Sequence, residues 1–124
     1  MKKNNPDITL SPKGQIKTEE LLVIVKDQLE NDKIEEIKLF DLRGKSQITS
    51  YVLIGTGTST KHISSSAEKL ADKVEETYNE SQDISMEGRN KNAQWILVDL
   101  HEIMVHLLTK EAREIYNLEE LFSK

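Results

Sequence analysis

Two apolar blocks at residues 95–100 and 103–108, parted by the polar pair His101-Glu102, constrain this chain more than any other stretch. They are rich in β-branched residues, nearly continuous in apolarity, and joined by a connection short enough to predict a buried β-hairpin. The same stretch holds the single Trp of the sequence, Trp95, and two of its three His, His101 and His106. Asp99, Glu102 and His106 lie inside or beside the apolar blocks, and polar groups in a buried strand need partners. They are either satisfied within the fold or presented to a ligand.

A hairpin is not stable alone and needs further elements to cover it. The 124 residues are enough for one domain with a real core. With 36% hydrophobic and 31% charged residues, the composition supports one sheet-and-helix arrangement and little more. Residues 1–14 carry Pro6, Pro12 and Gly14 among polar residues and are expected to form a flexible or irregular arm, leaving 15–124 as the domain. The sequence has no Cys, which excludes disulfides, thiol catalysis and cysteine zinc sites and fits a reducing compartment. Its apolar runs fall far short of the ~20 residues of a membrane span. Residues 1–6 show neither the apolar core of a secretion signal nor the Arg of a transit peptide, so a cytoplasmic location is expected. The net charge is −5 with basic and acidic residues interleaved, which argues against gripping nucleic acid across the whole surface. An acidic chain can still join a ribonucleoprotein by docking on a basic protein within it.

Thr18 followed by Glu19 and Glu20 resembles a helix start, acids being favourable in the first turn. Leu21, Leu22, Val25 and Leu29 continue it as one apolar stripe to about Asn31. Residues 36–42 and 48–54 read as strands paired across a turn at Gly44, the second apolar on both faces and therefore interior to the sheet. Gly55-Thr56-Gly57-Thr58-Ser59-Thr60 is expected as a loop. A long helix follows it, with Ile63, Ala67, Leu70, Ala71, Val74 and Tyr78 at helical spacing. A short strand at 83–86, a polar loop at 87–92, the hairpin, a short helix beginning at 110–116, and a second apolar pair within 117–122 packed back on the domain complete a single α/β domain. Its mixed β-sheet of about five strands is flanked by helices.

The strand–loop–helix around Gly55 and Gly57 has the layout of a phosphate-cradling loop, because helix N-termini offer free N–H groups. It matches neither G-x-G-x-x-G nor the Walker pattern, and a tight turn followed by a Ser/Thr N-cap is the favoured reading. His101, Glu102, His106 and Asp99 do not have metal-ligand spacing, so no metal is expected. Asp41 and Asp99 are single acids with no D-x-D for magnesium, and Ser59 lacks an assignable base. Catalytic residues and cofactors are therefore not expected. Binding remains, with Trp95 at a strand start beside a polar loop and the acids Glu87, Asp99 and Glu102 around it.

The residues also carry a family resemblance. Asp41 with Gly44, then Tyr51-Val52-Leu53-Ile54-Gly55-Thr56-Gly57-Thr58-Ser59-Thr60-Lys61-His62, resembles the strand–loop–helix of the ribosomal silencing factor (RsfS/Iojap) family. Glu87-Gly88, Trp95-Ile96-Leu97-Val98-Asp99, Val105-His106, Glu111-Ala112-Arg113 and the run from Tyr116 to Phe122 continue the series in order. The resemblance implies an α/β domain related in fold to nucleotidyltransferases but lacking their catalytic acids. It implies binding to the large ribosomal subunit through ribosomal protein L-fourteen, blocking small-subunit joining and lowering translation when nutrients are scarce. The binding surface would carry over to Trp95, Glu87, Gly88, Asp99 and Glu102, with little direct nucleic-acid contact. Three positions depart from the family pattern: Ser50 replaces Asp, His101 replaces the Gly of the hairpin turn, and Phe122 replaces a closing Trp. The alternatives are a nucleotide-binding or nucleotidyltransferase-like enzyme using the Gly55–Thr60 stretch, and a homodimer closed through the Trp95 face.

Overall fold

In the computed structural model, residues 18–78, 84–88 and 92–123 are described. The expected N-terminal arm, Asp83 at the start of the third strand, and Arg89, Asn90 and Lys91 of the polar loop lie outside them.

The apolar stripe predicted from Thr18 onward becomes α1 (Thr18–Asn31), with Leu21, Val25 and Leu29 buried. The helix stops where Lys33 adopts φ 63° and the Lys33 and Ile34 amides donate to the carbonyls of Glu30 and Leu29, each at 3.0 Å. This pair of bonds is a Schellman ending, with lysine in the left-handed position that glycine usually fills. The chain then enters β1 (Glu35–Asp41), which pairs antiparallel with β2 (Tyr51–Gly57). Between Glu35 and Lys38 the register slips, and Glu36 takes φ 50° in the resulting bulge.

β2 differs from its expected bounds. It was predicted over 48–54 with Gly55-Thr56-Gly57 in a loop, whereas the strand runs through Gly57 and is buried along its whole length. The reason is packing. A Cβ on Gly55 would stand 2.4 Å from Ile34 Cγ2, and one on Gly57 2.4 Å from Ile63 Cγ2. The two glycines let the strand lie directly against the β1 entry and the following helix, so they form neither the tight turn nor the phosphate cradle. α2 (Thr60–Tyr78) then begins with Ser59 as its N-cap, whose Oγ accepts the His62 amide at 3.0 Å.

The remaining strands are β3 (Ser85–Glu87), β4 (Trp95–Asp99) and β5 (Ile103–Thr109), followed by the short helices α3 (Lys110–Tyr116) and α4 (Leu118–Phe122). The sheet order is β1-β2-β5-β4-β3, with β2 and β5 parallel and the other pairs antiparallel. The predicted mixed five-stranded sheet is therefore observed, with the β4–β5 hairpin where the sequence placed it. β5 is central and buried on both faces, which explains its near-continuous apolarity.

The two faces are covered unequally. On one, Leu53, Ile96, Val98, Ile103, Val105 and Leu107 meet α1 and α2 through Val25, Leu29, Ile63, Ala67 and Leu70, forming the main core. On the other, Val52, Ile54 and Leu108 meet Ala112 of α3 and Leu118 of α4. These two short helices pack over β2 and β5. The same face continues past them toward β4 and β3, where Trp95 and Leu97 are half-buried.

Candidate functional site

Strand alternation places Trp95, Leu97 and Asp99 on the α3/α4 face of β4. The register sets Glu87 of β3 opposite Leu97, and Leu97 opposite His106 of β5. Glu87, Gly88, Trp95, Leu97 and His106 thereby line one open groove of about 270 Å³. Gly88 has φ 84°, and a Cβ there would lie 2.3 Å from the Trp95 carbonyl oxygen. Glycine is thus required for the end of β3 to pass across the Trp95 backbone.

Within the groove Trp95 is held from two sides. Its indole Nε1–H donates to His106 Nδ1 at 3.0 Å, and its ring lies 4.9 Å from that of Tyr116, tilted by 46°. His106 is 8% exposed and also faces the Phe122 ring at 5.7 Å, which in turn lies 6.0 Å from Phe40. A chain of rings therefore runs from α3 through Trp95 and His106 to α4 and β1. Accepting the indole N–H requires an unprotonated Nδ1, so the neutral ring carries its proton on Nε2. Burial pushes the His106 pKa down to about 4, in keeping with that neutral form. Tyr116 is itself largely exposed beside Trp95.

The other two predicted site residues stand apart from the groove. Asp99 lies at the far end of β4, about 13 Å from Trp95 at the usual strand rise. There its Oδ1 accepts the His101 amide at 2.8 Å and shapes the hairpin turn. His101 has φ 71°, the left-handed conformation expected of the Gly position that it occupies. Glu102 follows in the same turn. Its carboxylate accepts the Ser50 hydroxyl, and its backbone carbonyl receives the amides of Ser50 and Tyr51 at 2.9 and 3.0 Å. The structure thus brings Glu87, Gly88 and Trp95 together and sets Asp99 and Glu102 at the opposite end of the hairpin.

Leu97 and His106, which line the groove, and Tyr116, whose ring packs on Trp95, are residues that the sequence reading did not assign. Period-two alternation from Trp95 pointed to Leu97, whereas the His106 contact depends on hairpin register and the Tyr116 contact on helix placement. A second polar centre, also unassigned, surrounds Arg113. This side chain is 7% exposed and donates from Nη1 to the Glu36 carbonyl at 2.7 Å and to Thr56 Oγ1 at 2.8 Å. Its Nε donates to Glu119 at 3.1 Å, and that hydrogen bond holds the Glu119 carboxyl below the usual range. The bulge at Glu36 turns a carbonyl toward Arg113, and Thr56 comes from the stretch that was expected to be a loop.

Asp41, like Ser59 and Asp99 above, has a structural partner, and so has His62. Asp41 accepts two hydrogen bonds from the Arg43 side chain at 3.0 and 2.8 Å, and these hold its carboxyl below the usual range. His62 accepts the Thr58 amide at Nδ1 (2.9 Å), so its Nε2–H faces the Asp32 carbonyl at 2.7 Å and ties the end of α1 to the start of α2. Among the described residues, no three metal-ligating side chains cluster, and no helix is long and apolar enough to cross a membrane.

The family model described as "Ribosomal silencing factor during starvation" matches residues 15–124. A Haemophilus influenzae protein named ribosomal silencing factor RsfS is 38% identical over 107 residues, covering 83% of this chain and 98% of that protein. A mouse protein named mitochondrial assembly of ribosomal large subunit protein 1 is 28% identical over 96 residues, covering 77% of this chain and 42% of its own length. A crystal structure from Chromobacterium violaceum shares the fold with a TM-score of 0.79 at 24% identity, covering 87% of this chain and 88% of that one.

Proposed function

The chain belongs to the ribosomal silencing factor family, and from that premise we propose that it is a non-catalytic factor of the cytoplasm. In this proposal it binds the large ribosomal subunit through ribosomal protein L-fourteen. Occupying that surface, it blocks the small subunit sterically and lowers translation under nutrient limitation.

The observation that carries this proposal is the open groove at Trp95. A half-buried indole beside Leu97 and Tyr116 offers apolar area at small entropic cost, and Trp and Tyr are favoured interface anchors. Glu87 at the rim and a net charge of −5 suit a basic protein surface. Glu87, Gly88 and Trp95 form the centre of the proposed interface. Asp99 and Glu102 reach the partner only if it extends along the whole hairpin. In the free protein the same face can close a homodimer, which light scattering of wild type and Trp95→Ala would reveal.

The test mixes the protein with separated subunits and resolves them on sucrose gradients. Co-sedimentation with the large subunit and fewer joined ribosomes are expected, and the absence of both defeats the proposal. Trp95→Ala should weaken large-subunit binding by about 2 kcal/mol or more. Unchanged affinity would move the interface elsewhere.

A further inference from the structure

We propose that His106 is a positioning residue of the docking groove. By accepting the Trp95 indole N–H, it fixes the ring so that a partner meets the apolar face of the indole in place of its N–H donor. This inference rests on the docking role assigned to Trp95 above.

Trp95 is the first residue of β4, with Gly88 crossing its backbone and the open groove beside it, so strand pairing alone does not fix its side-chain angles. His106 is differently placed. It sits in the middle of the central strand, opposite Leu97 on one side and Ile54 on the other, with the Phe122 ring against it. A rigid, buried acceptor at 3.0 Å therefore anchors a more exposed donor. Without it the indole N–H would be left unsatisfied or would turn toward water, since indole has one donor and no acceptor. Tyr116 alone, largely exposed on a seven-residue helix, is a weaker restraint.

The bond also defines what the groove recognises. With the indole N–H taken internally, the walls given by Trp95 and Leu97 are apolar, and the charged group at the rim is Glu87. The complementary element is an aliphatic side chain next to a lysine or arginine. The aliphatic group would fill the groove while the cation reaches Glu87.

The experiment compares wild type, His106→Phe, which keeps a ring but no acceptor, and His106→Gln, which restores one. The protein has a single Trp, so a nitrogen-15-labelled sample gives one indole N–H resonance. Its hydrogen exchange should be slow in wild type and His106→Gln and fast in His106→Phe. Affinity for isolated large subunits should fall about tenfold in His106→Phe, the scale of one lost hydrogen bond, and recover in His106→Gln. Retained affinity in His106→Phe, while Trp95→Ala loses binding, overturns the inference and leaves the docking surface standing. Retained affinity in Trp95→Ala overturns both. Trp95→Phe provides a second arm that discounts general damage to the fold. With no N–H to fix, adding His106→Phe should cost no further affinity, and an added loss overturns the positioning role.

Discussion

Acidification should destabilise this protein through His106 in a pH window set by the buried ring. In the folded state its pKa is pushed down to about 4 by burial, against 6.5 for an ordinary histidine. Above pH 6.5 the side chain is neutral in both folded and unfolded chains and contributes no pH dependence. As the pH falls below 6.5 the unfolded chain takes up a proton that the folded protein refuses until about pH 4, so stability declines across that interval. Linkage across the shift gives a loss of about 2 kcal/mol at pH 5 and about 3 kcal/mol once both states are protonated. The assay is urea unfolding at pH 7.5 and pH 5 for wild type and His106→Phe. Asp41 and Glu119, both held below the ordinary carboxylate range, also cost stability at low pH, but they are common to the two proteins and cancel in the comparison. Wild type should therefore lose about 2 kcal/mol more than the variant between those pH values. An equal loss in both would show that His106 protonates in the fold without penalty, and would refute the coupling of its neutrality to burial and the Trp95 bond.

Three further outcomes follow from the packing. Gly57→Ala and Gly55→Ala should each cost about 1–3 kcal/mol in urea midpoint analysis, because the added methyl group meets Ile63 or Ile34 at 2.4 Å. Arg113→Met should cost about 3 kcal/mol in the same assay, leaving the Glu36 carbonyl, Thr56 and Glu119 without their buried partner. Lys33→Gly should stabilise by up to about 1 kcal/mol, read as a raised melting temperature, because φ 63° is strained for lysine and not for glycine.

The hairpin was legible because its cause is local. Near-continuous apolarity over 95–108, broken by His101-Glu102, is what a central strand, its hairpin partner and their turn require. The helical stripes of α1 and α2 were legible for the same reason, with Leu21, Val25, Leu29, Ile63 and Leu70 recurring at the period that faces a sheet. The Gly55–Gly57 segment was misjudged. Glycine in a sequence marks either a backbone that must turn or one that must lie close to something, and only the positions of Ile34 and Ile63 distinguish the two. The site was legible in part. Glu87, Gly88 and Trp95 do converge, and Asp99 and Glu102, adjacent to the same hairpin in sequence, end at its far turn because a strand carries its residues apart.

By itself the sequence determined the element order, the interior strands and the polar residues that had to be satisfied or presented, since these follow from periodicity and the cost of burying polar groups. The tertiary structure decided which partner each polar residue received. The β4–β5 register brings His106 to Trp95, the β1 bulge aims a carbonyl at Arg113, and the short helices stop before β4 and leave the groove open. Arg113 and Glu36 lie 77 residues apart, and the Trp95–His106 pairing depends on hairpin register, so only the packed fold fixes these distances.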